Sequence, residues 1–68
     1  MRITYDPEAD AMYVRFAEGE FAENREVAEG IVLDISPSGQ VLGIEILDVS
    51  RRYTLADLAR LEVEMPLV

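Results

Sequence analysis

The 68-residue chain contains no cysteine, no histidine, no tryptophan and no lysine. Without cysteine and histidine there are no disulfides, thiol nucleophiles, Ser-His-Asp triads or imidazole acid–base groups, and no zinc site built on those ligands. No apolar run approaches the ~20 residues needed to cross a bilayer, so no membrane partner is expected. No hydrophobic leader opens the sequence, which makes the cytoplasm the expected compartment. Positive charge is scarce: six arginines stand against 14 acids, for a net charge of −8. Those arginines (Arg2, Arg15, Arg25, Arg51, Arg52 and Arg60) are scattered along the chain. A phosphate binder needs a basic stripe, so direct nucleic-acid binding is not expected.

What is present is apolar. Half of the residues are hydrophobic and the mean hydropathy is +0.08, too high for a disordered acidic tail. The length fits one domain, residues 1–68. Such a domain is marginal. Surface scaling gives burial of ~6,700 Å² on folding. That burial is worth on the order of 100 kcal/mol if ~60% of it is apolar. Ordering the chain costs about the same, at ~1.5 kcal/mol per residue. A homodimer or larger assembly burying a sheet face or edge is therefore expected.

Alternation of apolar and polar residues marks the strands. Met1, Ile3 and Tyr5 oppose Arg2 and Thr4, and Met12, Val14 and Phe16 oppose Tyr13 and Arg15. The Asp6-Pro7 turn between them makes this a hairpin. Residues 18–26 are acidic and without period, and read as an exposed connection with at most a short strand extension. A third strand runs from about Glu26 to Ser36, with a bulge at Gly30. Ser36-Pro37-Ser38-Gly39-Gln40 turns into a fourth, Val41–Leu47. The register of this second hairpin follows from pattern and turn together. Ile35 falls opposite Leu42, Leu33 opposite Ile44 and Ile31 opposite Ile46, all on one face. Asp34 then lies opposite Gly43, and Val32 opposite Glu45.

After Asp48 the period changes. Thr54-Leu55-Ala56-Asp57 has the form of a capping box. Leu55, Leu58 and Leu61 would dock a helix of about two turns on the sheet, and Pro66 would stop its extension. The expected fold is α+β: a four-stranded antiparallel sheet of two hairpins with one short C-terminal helix.

Carboxylates are the remaining chemistry. Asp6, Glu8 and Asp10 alternate in the first turn like the opening of a calcium loop, but Ala11 and Ala17 occupy positions where such a loop has Gly and Glu. Turn capping by Asp6 explains these residues without a metal. Asp34 and Glu45 fall as diagonal neighbours ~7–8 Å apart beside Gly43, a spacing that inverting glycosidases use. Catalysis would also need a cleft, which a domain this small barely offers. Tyr5 and Tyr13 read as interface residues with one hydroxyl bond each. Asp34, Gly43, Glu45, Tyr5 and Tyr13 together form the candidate functional face. No cofactor is implied.

The residues 3-ITYDPEADAMYV-14 and 39-GQVLGIEILDVS-50 resemble the two signature blocks of the domain-of-unknown-function family 2283, short prokaryotic proteins. The resemblance covers residues 3–50 and implies a compact antiparallel α+β domain with no assigned activity. It lends no catalytic residue to any position.

The function these features favour is a non-enzymatic, self-associating interaction module. An antitoxin-like or regulatory role fits, in which the acidic chain meets a small basic protein. The competing class is a carboxylate-based metal binder or hydrolase using Asp6, Glu8 and Asp10, or Asp34 and Glu45.

Overall fold

A computed structural model describes residues 1–66. Five strands form one sheet: β1 (Arg2–Asp6), β2 (Ala11–Arg15), β3 (Glu23–Ala28), β4 (Ile31–Ile35) and β5 (Val41–Ile46). The spatial order is β1-β2-β5-β4-β3, with every pairing antiparallel. Two short helices follow, α1 (Val49–Arg52) and α2 (Leu55–Leu58). The α+β class and antiparallel sheet match the sequence reading. The element count does not.

The first hairpin forms as its pattern requires, with Ile3 paired to Val14 and Tyr5 to Met12. Asp6 caps the turn: its Oδ1 accepts from the backbone N–H of Glu8 at 3.0 Å and of Ala9 at 3.3 Å. Asp10 closes the turn from the left-handed region, at φ 52°.

The expected third strand is in fact two. The chain reverses at Glu29-Gly30, where Gly30 has φ +74°, so residues 23–28 form a separate edge strand. The bulge lies at Val27, between paired residues Glu26 and Ala28. Strand β3 (ENREVA) is exposed throughout. An edge strand with no buried face needs no alternation, and this one shows none.

The second hairpin keeps most of its expected register. Leu33 pairs with Ile44, Ile31 with Ile46, Asp34 with Gly43 and Val32 with Glu45. Ile35, however, pairs with Val41 and not with Leu42, because the register shifts after Asp34. The wider turn is held by Ser36, whose backbone N–H donates to Gln40 O at 2.9 Å and whose Oγ accepts from Gln40 N–H at 3.1 Å.

The single expected helix is also replaced by two. The Thr54–Asp57 capping box is present, with Asp57 N–H donating to Thr54 Oγ1 at 3.1 Å. It opens a helix of only four residues. Leu58 is half-buried, whereas Leu55 and Leu61 are 74% and 67% exposed. Docking through three leucines does not occur.

Burial concentrates at two ends of the sheet. Among the described residues, Ile35, Leu42 and Val49 are the buried hydrophobic side chains. The connection from β2 to β3 crosses over Leu42. Phe16 N–H donates to Leu42 O at 2.8 Å, and a Cβ on Gly19 would lie 2.8 Å from Leu42 Cδ2.

Candidate functional site

Strand pairing sorts the side chains into two faces, because directly paired residues point the same way. One face carries Ile3, Tyr5, Met12, Val14, Ile44 and Ile46, continued by Ile31 and Leu33. The other carries Arg2, Thr4, Tyr13, Arg15, Gly43 and Glu45, continued by Val32 and Asp34. Tyr5 is thus separated from Asp34, Gly43, Glu45 and Tyr13, with which the sequence reading had grouped it. Alternation in β1 already puts it beside Ile3.

On the polar face, Tyr13 spans a neighbouring strand. Its hydroxyl donates to Asp34 Oδ2 at 2.6 Å, although β5 lies between β2 and β4. Gly43 makes this reach possible: a Cβ there would strike the Tyr13 hydroxyl and come within 2.7 Å of its Cζ. The bond to Asp34 raises the Tyr13 pKa, with burial and the nearby carboxylate charge adding to it. The Arg15 guanidinium lies over the same ring, 5.4 Å from its centre. Glu45 pairs directly with Tyr13 across β2–β5. Asp34 is committed to a structural hydrogen bond, and the chemistry of this face is that of a braced, tyrosine-covered glycine.

The first-turn carboxylates do not converge. Asp6 is used by its own turn, while Asp10 turns toward the helices. Its backbone O accepts from Val49 N–H at 3.0 Å, and its Oδ1 and Oδ2 accept from Ser50 N–H at 3.1 and 3.2 Å. Ser50 Oγ donates to Oδ2 at 2.7 Å, and the Tyr5 hydroxyl donates to Oδ1 at 2.8 Å. Asp48, at the N-cap of α1, makes no capping bond with its side chain. Asp10 caps α1 from 40 residues away, which no local spacing reveals. These bonds, Ser50 first and Tyr5 second, hold the Asp10 carboxyl below its ordinary range; the Tyr5 phenol is raised in return. Among the described residues no group of three Asp, Glu, His or Cys is placed to hold a metal ion.

A second clamp fixes the other end of α1. Arg52 Nε donates to Leu47 O at 2.8 Å and Nη2 to Glu29 O at 2.6 Å. Both clamps hold the helices over one end of the apolar face. A groove of about 480 Å³ remains there, lined by Ile3, Met12, Ile46, Tyr53, Leu58 and Leu61 among others.

The rest of that face is poorly covered. Ile3 and Tyr5 are 39% and 38% exposed, and Met12, Val14, Leu33, Ile44 and Ile46 are only half-buried. The chain exposes 5461 Å², against about 4,300 Å² for a compact monomer of its mass. Its radius of gyration is 13.4 Å, against about 11 Å for a compact domain of this length. The molecule is a slab, 19 Å in its thinnest dimension.

Fold and surface together define a small α+β domain built on one antiparallel sheet with an incompletely covered apolar face. The chain belongs to the family described as "Protein of unknown function (DUF2283)", whose model matches residues 2–50. That span contains the whole sheet together with Asp10 and Ser50. The chain is also 36% identical, over 52 residues, to a Methanosarcina mazei protein named "Putative hypoxanthine phosphoribosyltransferase". The match takes in 76% of this chain but 42% of that protein. No solved structure matches the chain.

Proposed function

We propose that this chain is a non-enzymatic module that self-associates through its apolar sheet face. The observation that carries the reading is the half-exposed row Ile3, Met12, Val14, Ile44 and Ile46. Stable domains stack at least two layers around a core, and here the second layer is two four-residue helices at one end. The surface in excess of a compact monomer, about 1,200 Å² by the scaling for this mass, exceeds the ~800 Å² that each partner contributes to a standard interface. A homodimer with the two apolar faces opposed supplies the missing layer.

In this reading the chain's excess of carboxylates outside the apolar face stays available to a second, basic protein, as an antitoxin-like or regulatory partner would use it in a prokaryotic cytoplasm. Net charge of −8 favours fast association with such a partner. The hydrogen bond that commits Asp34 to Tyr13 favours this reading over a hydrolytic carboxylate pair. The activity named for the Methanosarcina mazei relative is not taken over, since more than half of that protein lies outside the match.

Sedimentation velocity of Ile3→Glu tests the proposal. Ile3 lies on the edge strand and is already 39% exposed, so the monomer tolerates the change. The variant should sediment as a monomer at concentrations where the parent chain is dimeric. Equal association by both chains would count against the apolar face as the interface.

A further inference from the structure

Residues 61–65 read Leu-Glu-Val-Glu-Met. This is the alternation of a strand, closed by Pro66, which has no N–H to donate. In the described structure the segment belongs to no helix or strand, and Leu61, Val63 and Met65 are 67%, 64% and 68% exposed. We infer that this segment adds as a sixth strand to the free edge of β1 in a second copy of the chain, reciprocally across the dimer. The inference rests on the self-association proposed above and names the device that completes it.

Two edges are open to such a strand, β1 and β3. Only β1 matches it on both faces. There, Leu61, Val63 and Met65 would extend the apolar row beside the partner's Ile3 and the partner's Tyr5. Glu62 and Glu64 would fall on the polar face beside the partner's Arg2. That arginine faces Arg15 directly across β1–β2, a like-charge pair that is destabilising as it stands. Among the described residues Arg15 has Glu18 at 3.6 Å, whereas Arg2 and Glu64 have no ion pair. At β3 the same strand would set its apolar side against Glu23 and Arg25, and its glutamates against Glu26.

The position of the tail points to a partner and not to its own β1. Leu58 and Leu61 line the groove above Ile3, Met12 and Ile46, so the chain leaves α2 in the layer over its own sheet. A second sheet stacked on that face would lie ~10 Å above the first, at the level of the departing tail. Strand addition at an open edge also satisfies the unpaired backbone groups of β1.

Sedimentation equilibrium of five variants tests this. Val63 is exposed and outside every hydrogen-bonded element, so Val63→Pro leaves the monomer fold intact, which circular dichroism verifies. It should raise the dimer dissociation constant at least tenfold, whereas Val63→Ile should leave it within threefold. Arg2→Glu and Glu64→Arg should each weaken the dimer severalfold, and the two combined in one chain should restore it. If Val63→Pro dimerises like the parent, the tail is not part of the interface and this inference is overturned, while self-association stands. If the combined charge reversal fails to restore association, pairing with β1 is overturned. A monomeric parent chain would remove both the inference and the reading beneath it.

Discussion

Tyr13 and Asp34 share a 2.6 Å hydrogen bond across a strand that carries Gly43 between them. The glycine leaves the hollow that the phenol fills, and the bond fastens β2 to β4 over β5. Replacing Gly43 with alanine forces the new methyl against the Tyr13 ring and, at 2.8 Å, against the backbone O of Val14. The backbone contact cannot yield as a side chain would. Gly43→Ala should destabilise the fold by about 1–3 kcal/mol, as overfilled sites do, read from urea unfolding.

Tyr13→Phe removes the donor and leaves Asp34 without it. The pair is only partly buried, so the expected loss is about 1 kcal/mol, again in urea. The pH dependence provides a second readout. The Tyr13 pKa is raised above its ordinary value of 10.0, so the unfolded chain gives up this proton first. The stabilisation is complete below about pH 10 and is lost as pH rises through the folded value. Phenolate absorbance should show late-titrating phenols, Tyr5 and Tyr13, and Tyr13→Phe should remove only the Tyr13 share of that amplitude.

Asp10 has the opposite sign. Its carboxyl is held below the ordinary 3.8 by Ser50 and Tyr5. Its contribution is present above that value and falls away as pH drops through the lower, folded one. Asp10→Asn should therefore flatten the acid limb of a stability-versus-pH curve below about pH 4. An unaltered acid limb in Asp10→Asn would show that the carboxylate does not anchor α1.

The Arg52 clamp predicts a linked pair of effects. A methyl on Gly30 would meet Arg52 Cζ at 3.6 Å and collide with Nη2, and it would sit on a backbone with φ +74°. Gly30→Ala should cost about 1–2 kcal/mol from the left-handed backbone alone. Arg52→Ala should increase amide exchange in residues 47–53 without unfolding β1 and β2.

The sheet's centre was legible in the sequence because two independent constraints converge there. The alternation of Ile31, Leu33, Ile44 and Ile46 and a turn at Ser36–Gln40 both point to this pairing, although beside the turn itself the register shifts and Ile35 meets Val41. Where burial is absent, so is the signal: β3 gains nothing from alternation, so residues 23–25 read as part of the exposed connection and residues 26–28 as the start of the next strand. Gly30 interrupts the alternation and reads as a bulge, but a turn and a bulge both use glycine, and only the pairing of residues 23–28 shows that it is a turn. Helix α1 was missed because its cap comes from Asp10 and its far clamp from Glu29, contacts that no spacing within Val49–Arg52 announces. Gly43, Tyr13 and Asp34 were singled out as one face, yet the hydrogen bond joining them needs β2 placed beside β5. That placement is a matter of topology, which period-two patterns do not encode.

The central claim is that the apolar sheet face is closed by a second copy of the chain. Its most direct test is the mass at sedimentation equilibrium across a dilution series. We predict twice the 7.6 kDa chain mass at micromolar concentrations, falling toward the single-chain value on dilution. A mass of 7.6 kDa at every concentration would contradict the account.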